Sequence, residues 1–131
     1  MKALLTSLVA TAVLALAAPA IAHHSFAAQY DPSKPVTLTG KVTKVEWTNP
    51  HARFYMSVKG DDGATTSWNL ELASPNYLKR AGWSSTSLKE GDQITVEGSL
   101  ARSGANMANA RAVTLADGRR VFARAATDSG G

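Results

Sequence analysis

Three histidines set the chemistry open to this 131-residue chain. His23 and His24 are adjacent near the start, and His51 closes the segment Trp47-Thr48-Asn49-Pro50-His51. A histidine at the head of a chain can offer one metal ion two nitrogens. These are its α-amine, whose pKa near 8 makes it easy to deprotonate, and its ring nitrogen. If His23 holds that position and His51 approaches, three nitrogens converge, with His24 as a substitute or fourth ligand. Nitrogen donors in a planar or T-shaped array suit Cu(II), and imidazole also suits Zn(II) or Ni(II). There is no cysteine, and only Met56 and Met107 offer thioethers beyond Met1, so a soft Cu(I) site has less support. Asp31 or Glu46 could complete the shell. The plainer alternative makes the pair a polar start to the chain and gives His51 a turn-closing hydrogen bond after Pro50.

The amine exists only if the chain is cut there. Met1-Lys2 followed by a Leu-, Val- and Ala-rich run to about Ala18 has the form of a secretory signal, and Pro19 ends the run. Ala20-Ile21-Ala22 places small residues where a signal peptidase reads them, so residues 1–22 are expected to leave and His23 to become the first residue. Cleavage after Ala20 is the competing site and would leave Ile21-Ala22 in front. The apolar run is shorter than the roughly 20 residues of a membrane span. Without cysteine there is no lipid-attachment site either, so the expected product is periplasmic, with no membrane span.

The formal charge of +4 includes Lys2. The excess is spread along the chain, with no basic run longer than Lys79-Arg80 or Arg119-Arg120. Charge and compartment together argue for a metal ion or an envelope ligand or protein as partner, and against nucleic acid.

Residues 23–34 read as an N-terminal arm, with Asp31-Pro32 and Lys34-Pro35 restricting the backbone to extended or turn states. Val36 to Val42 alternates as a strand, and Val45 and Trp47 alternate on the opposite parity. One extra residue near Thr43-Lys44, a β-bulge, would reconcile the two. Ala52–Lys59 and Thr65–Leu72 alternate on either side of Gly60-Asp61-Asp62-Gly63, which makes a hairpin. Ser74-Pro75 fits an N-cap and a first-turn proline for a short helix stopped by Gly82. Gln93–Leu100, Asn109–Leu115 and a last short run from Arg119 to Ala123 complete the strands, and residues 125–131 read as a disordered tail. The fold expected for residues 35–124 is all-β with one short helix, a small OB-like barrel of five to six strands, because the helix falls between the third and fourth strands. An open sandwich is the alternative.

A second candidate surface lies on the hairpin, where Arg53, Tyr55 and Trp68 could meet an oligosaccharide, a peptide or an envelope partner, with Trp47 and Trp83 as further stacking surfaces. Against this, Phe54 and Trp68 fall in phase with core positions and Arg53 with solvent. Glu46, Glu71 and Glu97 stand on separate strands, so no carboxylate pair for acid–base work can be drawn. Ser25 beside His24 lacks the third group and oxyanion hole of a triad. The chain therefore reads as a binding protein without catalysis, and a copper-dependent oxidase using the same histidines ranks last.

The segments His23-His24-Ser25-Phe26-Ala27-Ala28, Val45-Glu46-Trp47-Thr48-Asn49-Pro50-His51 and Asn109-Ala110-Arg111 before Asp117-Gly118-Arg119 resemble a family of small exported bacterial proteins classed as a domain of unknown function. The likeness spans nearly all of the chain after residue 22, and the two histidine motifs are its most specific parts. It implies an envelope location and a compact β-fold. No ligand or reaction comes with it.

Overall fold

The structure, a computed structural model, describes residues 26–123. The expected signal segment, the histidine pair and the expected tail lie outside them. A four-residue helix, α1 (Phe26–Gln29), leads into β1 (Tyr30–Glu46), β2 (Arg53–Lys59), β3 (Thr65–Glu71), α2 (Pro75–Arg80), β4 (Gln93–Ala101), β5 (Met107–Thr114) and β6 (Arg120–Phe122). No helix among the described residues is long and apolar enough to cross a membrane.

Neighbouring strands run β3-β2-β1-β4-β5-β6, and a further pairing joins β3 to β5 in parallel, with Leu70 opposite Ala108 and Glu71 opposite Asn109. That pairing closes β1, β2, β3, β5 and β4 into a ring, and β6 hangs on the outside of β5. Closure removes the free edges that an open sheet of these strands would present. The sandwich alternative is excluded by it.

β1 can serve both halves of the ring because it is long and coiled. It pairs with β4 from Tyr30 to Lys41 and with β2 from Lys41 to Glu46, and the register slips between Val42 and Lys44. This is the bulge the switch of parity required. Gly40 sits at the crossing, where a Cβ would overlap the Ser57 carbonyl of β2. Gly98, which interrupts the alternation of β4, meets the Asn109 carbonyl in the same way. Both glycines are there because another backbone needs the space.

β1 also begins earlier than its alternation suggested. Of the expected arm, the described residues 26–34 are not irregular: α1 is followed by strand from Tyr30, which already pairs with Ala101, and the two prolines that bar helix allow extended strand. The core lies inside the ring, where Val42, Phe54, Met56, Leu70, Val96 and Val113 are all but fully buried. α2 joins the core through buried Leu78, and its N-terminus is capped by the Ser74 hydroxyl accepting from the Tyr77 amide.

Candidate functional site

Strand alternation places Phe54, Leu70 and Ala108 inside the barrel and their neighbours Arg53, Glu71 and Asn109 on its outer surface. Register makes these three a row across β2, β3 and β5, with Ser99 of β4 continuing it. An outer row would ordinarily be wet, yet Glu71 is only 5% exposed and Asn109 6%. The cover comes from the start of the described chain. The Tyr30 backbone is paired to Ala101 on β4, and its hydroxyl donates to Glu71 Oε2 on β3 at 2.7 Å, so its ring bridges the strand between them, β5. Phe26 stacks on that ring, with centroids 5.7 Å apart. Arg102 fastens the same segment: its backbone amide donates to the Gln29 carbonyl, its Nε to the Ala27 carbonyl, and its guanidinium meets Asp31 at 3.4 Å.

Glu71 is the hub of this row. Besides Tyr30 it accepts from Arg53 Nη2 at Oε2 and pairs with His51 Nδ1 through Oε1, each at 2.7 Å. Arg53 Nη1 goes on to Asn69 Oδ1 at 3.3 Å. A buried carboxylate is tolerable only when charge and hydrogen bonds both compensate it, and here the guanidinium supplies the charge. Burial, and then the hydrogen bond to Glu71, push the Tyr30 hydroxyl well above the ordinary tyrosine range, so it remains a donor. A carboxylate can only accept, so the proton on the shared His51 edge belongs to Nδ1. In the neutral ring the lone pair is then on Nε2, on an imidazole held from behind whose side chain is 38% exposed. The loop carrying His51 is pinned by exchange of backbone bonds between Ala52 and its neighbours Leu72 and Ala73, and its Asn49–Pro50 peptide is cis. An imidazole oriented through Nδ1 by a carboxylate is the usual posture of a metal-ligating histidine and also of a general base.

Of the three histidines proposed as ligands, His51 is in this cluster, while His23 and His24 lie outside the described residues. Among the described residues no three His, Cys, Asp or Glu side chains are grouped closely enough to hold a metal ion. Neither Asp31, held by Arg102 and Ser33, nor Glu46, paired with Lys44, lies in the cluster.

The hairpin set Arg53, Tyr55 and Trp68 is divided. Trp68 stands opposite Met56 on the inner side and packs against the core, whereas Arg53 and Tyr55 point outward. Arg53 is not simply solvated but committed to Glu71, and Tyr55 lies under the Lys44 ammonium at 5.5 Å. Trp83 is buried with its indole N–H on the Phe122 carbonyl, and Trp47 is half-buried against the core. Sequence reasoning missed Glu71, Tyr30 and Asn109 as members of the site. The available signal was the alternation itself, which put a glutamate and an asparagine on outer faces without saying what would cover them.

A five-stranded ring closed by a parallel β3–β5 pairing, with a helix between its third and fourth strands, defines an OB-type barrel, and this one carries an oriented histidine on its outer wall. The chain belongs to the family of unknown function DUF6152, whose family model matches residues 10–110. No curated protein matches it. Among solved structures it is similar to crystal structures of mitochondrial single-stranded DNA binding proteins from S. cerevisiae. One match has a TM-score of 0.49 at 12% identity and a selenomethionine form has 0.47 at 11%, each covering 63% of this chain and 92% of that chain.

One expectation is corrected by how the fold distributes charge. The expectation of no nucleic-acid partner rests on a mild, scattered basic excess without a long run and on the expected periplasmic location. Binding of single-stranded nucleic acid needs a groove and stacking surfaces more than a continuous run of charge, so the missing run excludes nothing. Basic residues far apart in sequence also meet in space, as Arg111 and Arg120 do at Glu97. The exclusion is withdrawn.

Proposed function

We propose that this chain is a periplasmic, non-catalytic protein that binds a transition metal ion, copper, through His51 and the histidine pair His23-His24. The observation that carries the reading is the 2.7 Å contact between His51 Nδ1 and the buried carboxylate of Glu71, which fixes the ring and frees Nε2 for a metal. A second support is the path of the chain. Phe26 lies against Tyr30, whose hydroxyl shares Glu71 with His51, and His24 is two residues before Phe26. In this reading cleavage after Ala22 creates the amine of His23, and amine, ring and His51 supply three nitrogens in the donor set that favours Cu(II).

The test uses protein whose first residue has been established by mass spectrometry. Cu(II) is titrated into the form beginning at His23 and into a form bearing one extra N-terminal residue. The reading expects at least a tenfold weaker affinity for the extended form, since the amine is displaced. Equal affinities would remove the amine from the site.

A further inference from the structure

Between the loop that follows α2 and the turn from β5 to β6 lies a cavity of about 340 Å³, none of whose lining residues belongs to the His51 cluster. Its volume falls within the ~300–1,000 Å³ of small-ligand sites, but its lining is mostly hydroxyl-bearing and charged. Local hydrogen bonds shape both walls. On one, the Ser84 amide donates to Ser87 Oγ at 2.8 Å, and Ser84 Oγ lies 3.0 Å from Thr86 Oγ1. The same wall runs on to Asp92, whose Oδ2 accepts the Lys89 amide at 2.9 Å, and backbone bonds tie Gly91 and Asp92 to Val42 of β1. On the other, the Leu115 amide donates to the Arg119 carbonyl and closes the turn.

The charged side chains of this cavity are not equivalent. Asp117 is committed to Arg119: its Oδ1 accepts the Arg119 amide at 2.9 Å and its Oδ2 accepts Nε at 2.7 Å. A guanidinium held by Nε has its plane fixed, and Nη1 and Nη2 remain as a two-pronged donor edge. The Lys89 ammonium has no partner among the described residues. Asp92 keeps one oxygen as an acceptor once Oδ2 is taken. A hydroxyl can donate one hydrogen bond and accept two, so Ser84, Thr86 and Ser87, though bonded to one another, retain capacity for a ligand.

We infer that this cavity is a second binding site, independent of the metal reading, and that it takes an anionic sugar, a monosaccharide unit bearing a phosphate or a carboxylate. The acidic group is held by Arg119, whose Nη pair matches two oxygens of either anion, and by Lys89. The sugar hydroxyls exchange hydrogen bonds with Ser84, Thr86, Ser87 and Asp92. A neutral sugar leaves the two cations unanswered, and a bare inorganic anion leaves the hydroxyls unanswered, so the site selects a ligand that carries both.

The experiment titrates the chain beginning at His23, with a chelator present, with glucose-6-phosphate, glucuronate, glucose and inorganic phosphate, read by calorimetry and by backbone amide shifts. At least one of the two acidic sugars should bind one per chain, at least about tenfold tighter than glucose or phosphate, with shifts centred on residues 84–92 and 115–119. The preferred acidic sugar tells phosphate from carboxylate. Arg119→Ala should weaken that binding about 10- to 100-fold and Lys89→Ala about tenfold, and both side chains are exposed, so the fold should survive their loss. Arg120→Ala removes the same charge from the neighbouring residue, which is paired with Glu97 outside the cavity, and should stay within about twofold of the parent at physiological salt. Failure of both acidic sugars to bind more tightly than glucose and phosphate would overturn the inference. So would an equal loss in Arg120→Ala and Arg119→Ala, which would mean diffuse attraction to charge. His51→Ala should bind the sugars like the parent, so this site and the metal reading stand or fall separately.

Discussion

Replacing Glu71 by leucine removes the hub of the polar cluster while nearly keeping its volume. Three donors lose their acceptor at once: the Tyr30 hydroxyl, Arg53 Nη2 and His51 Nδ1, each now 2.7 Å from the carboxylate. Their fates differ. The Arg53 side chain is 30% exposed and His51 more so, so water can take up their N–H groups, whereas Tyr30 is buried and its hydroxyl would be stranded. A stranded buried donor costs about 1–3 kcal/mol. Breaking a buried ion pair from one side costs about 3–5 kcal/mol, and the exposure of Arg53 moves this pair to the low end. We expect Glu71→Leu to lose about 3–4 kcal/mol, a large share of the ~5–15 kcal/mol that holds a domain folded. Glu71→Gln, which keeps one acceptor oxygen, should lose less. Urea unfolding followed by tryptophan fluorescence reads both values, and an unchanged slope with denaturant shows that the folded and unfolded states are still the same pair. A Glu71→Leu variant within about 1 kcal/mol of the parent would mean that the cluster does not hold the outer wall together, and the reasoning from burial would be wrong.

Two further outcomes follow from the same geometry. The folded state keeps the Tyr30 proton at a pH where an unfolded tyrosine gives it up, so the stability from this group is complete below about pH 10 and falls as the pH rises beyond it. Tyr30→Phe should therefore flatten the alkaline decline in the unfolding midpoint, besides costing about 1–2 kcal/mol at neutral pH, and an unaltered decline would count against the buried hydrogen bond. Gly40→Ala drives a methyl into the Ser57 carbonyl where β1 passes from one half of the ring to the other. It should cost about 1–3 kcal/mol by thermal or urea unfolding, while an alanine tolerated without loss would show that β1 can shift there.

Most of the local structure was legible because it depends on near neighbours. The hairpin announced itself by period-2 alternation about a Gly-Asp-Asp-Gly turn, α2 by Ser74-Pro75 and Gly82, and the bulge of β1 by the change of parity between Val42 and Val45. The site was only partly legible because its members come from five segments. His51 stood out by residue type, but its partner Glu71 lies 20 residues away and looked like an ordinary outward-facing glutamate. Arg53 looked solvated for the same reason. No local pattern states that β3 meets β5 in parallel, and that pairing alone sets Glu71 beside Asn109. Nor does one state that Tyr30 crosses from β4 to β3, which turns an outer row into a buried one. Trp68 shows the converse: its residue type suggested a ligand face, and its parity put it with Leu70 on the core side.

In the proposed function, His51, held through Nδ1 by Glu71, presents Nε2 to a metal. Calorimetric titration of Cu(II) into the chain beginning at His23, beside the same chain carrying His51→Ala, tests it most directly. One ion per chain is expected for the parent and an affinity at least about tenfold weaker for His51→Ala, with the fold unchanged by circular dichroism. Equal affinity and stoichiometry in the two proteins would contradict it.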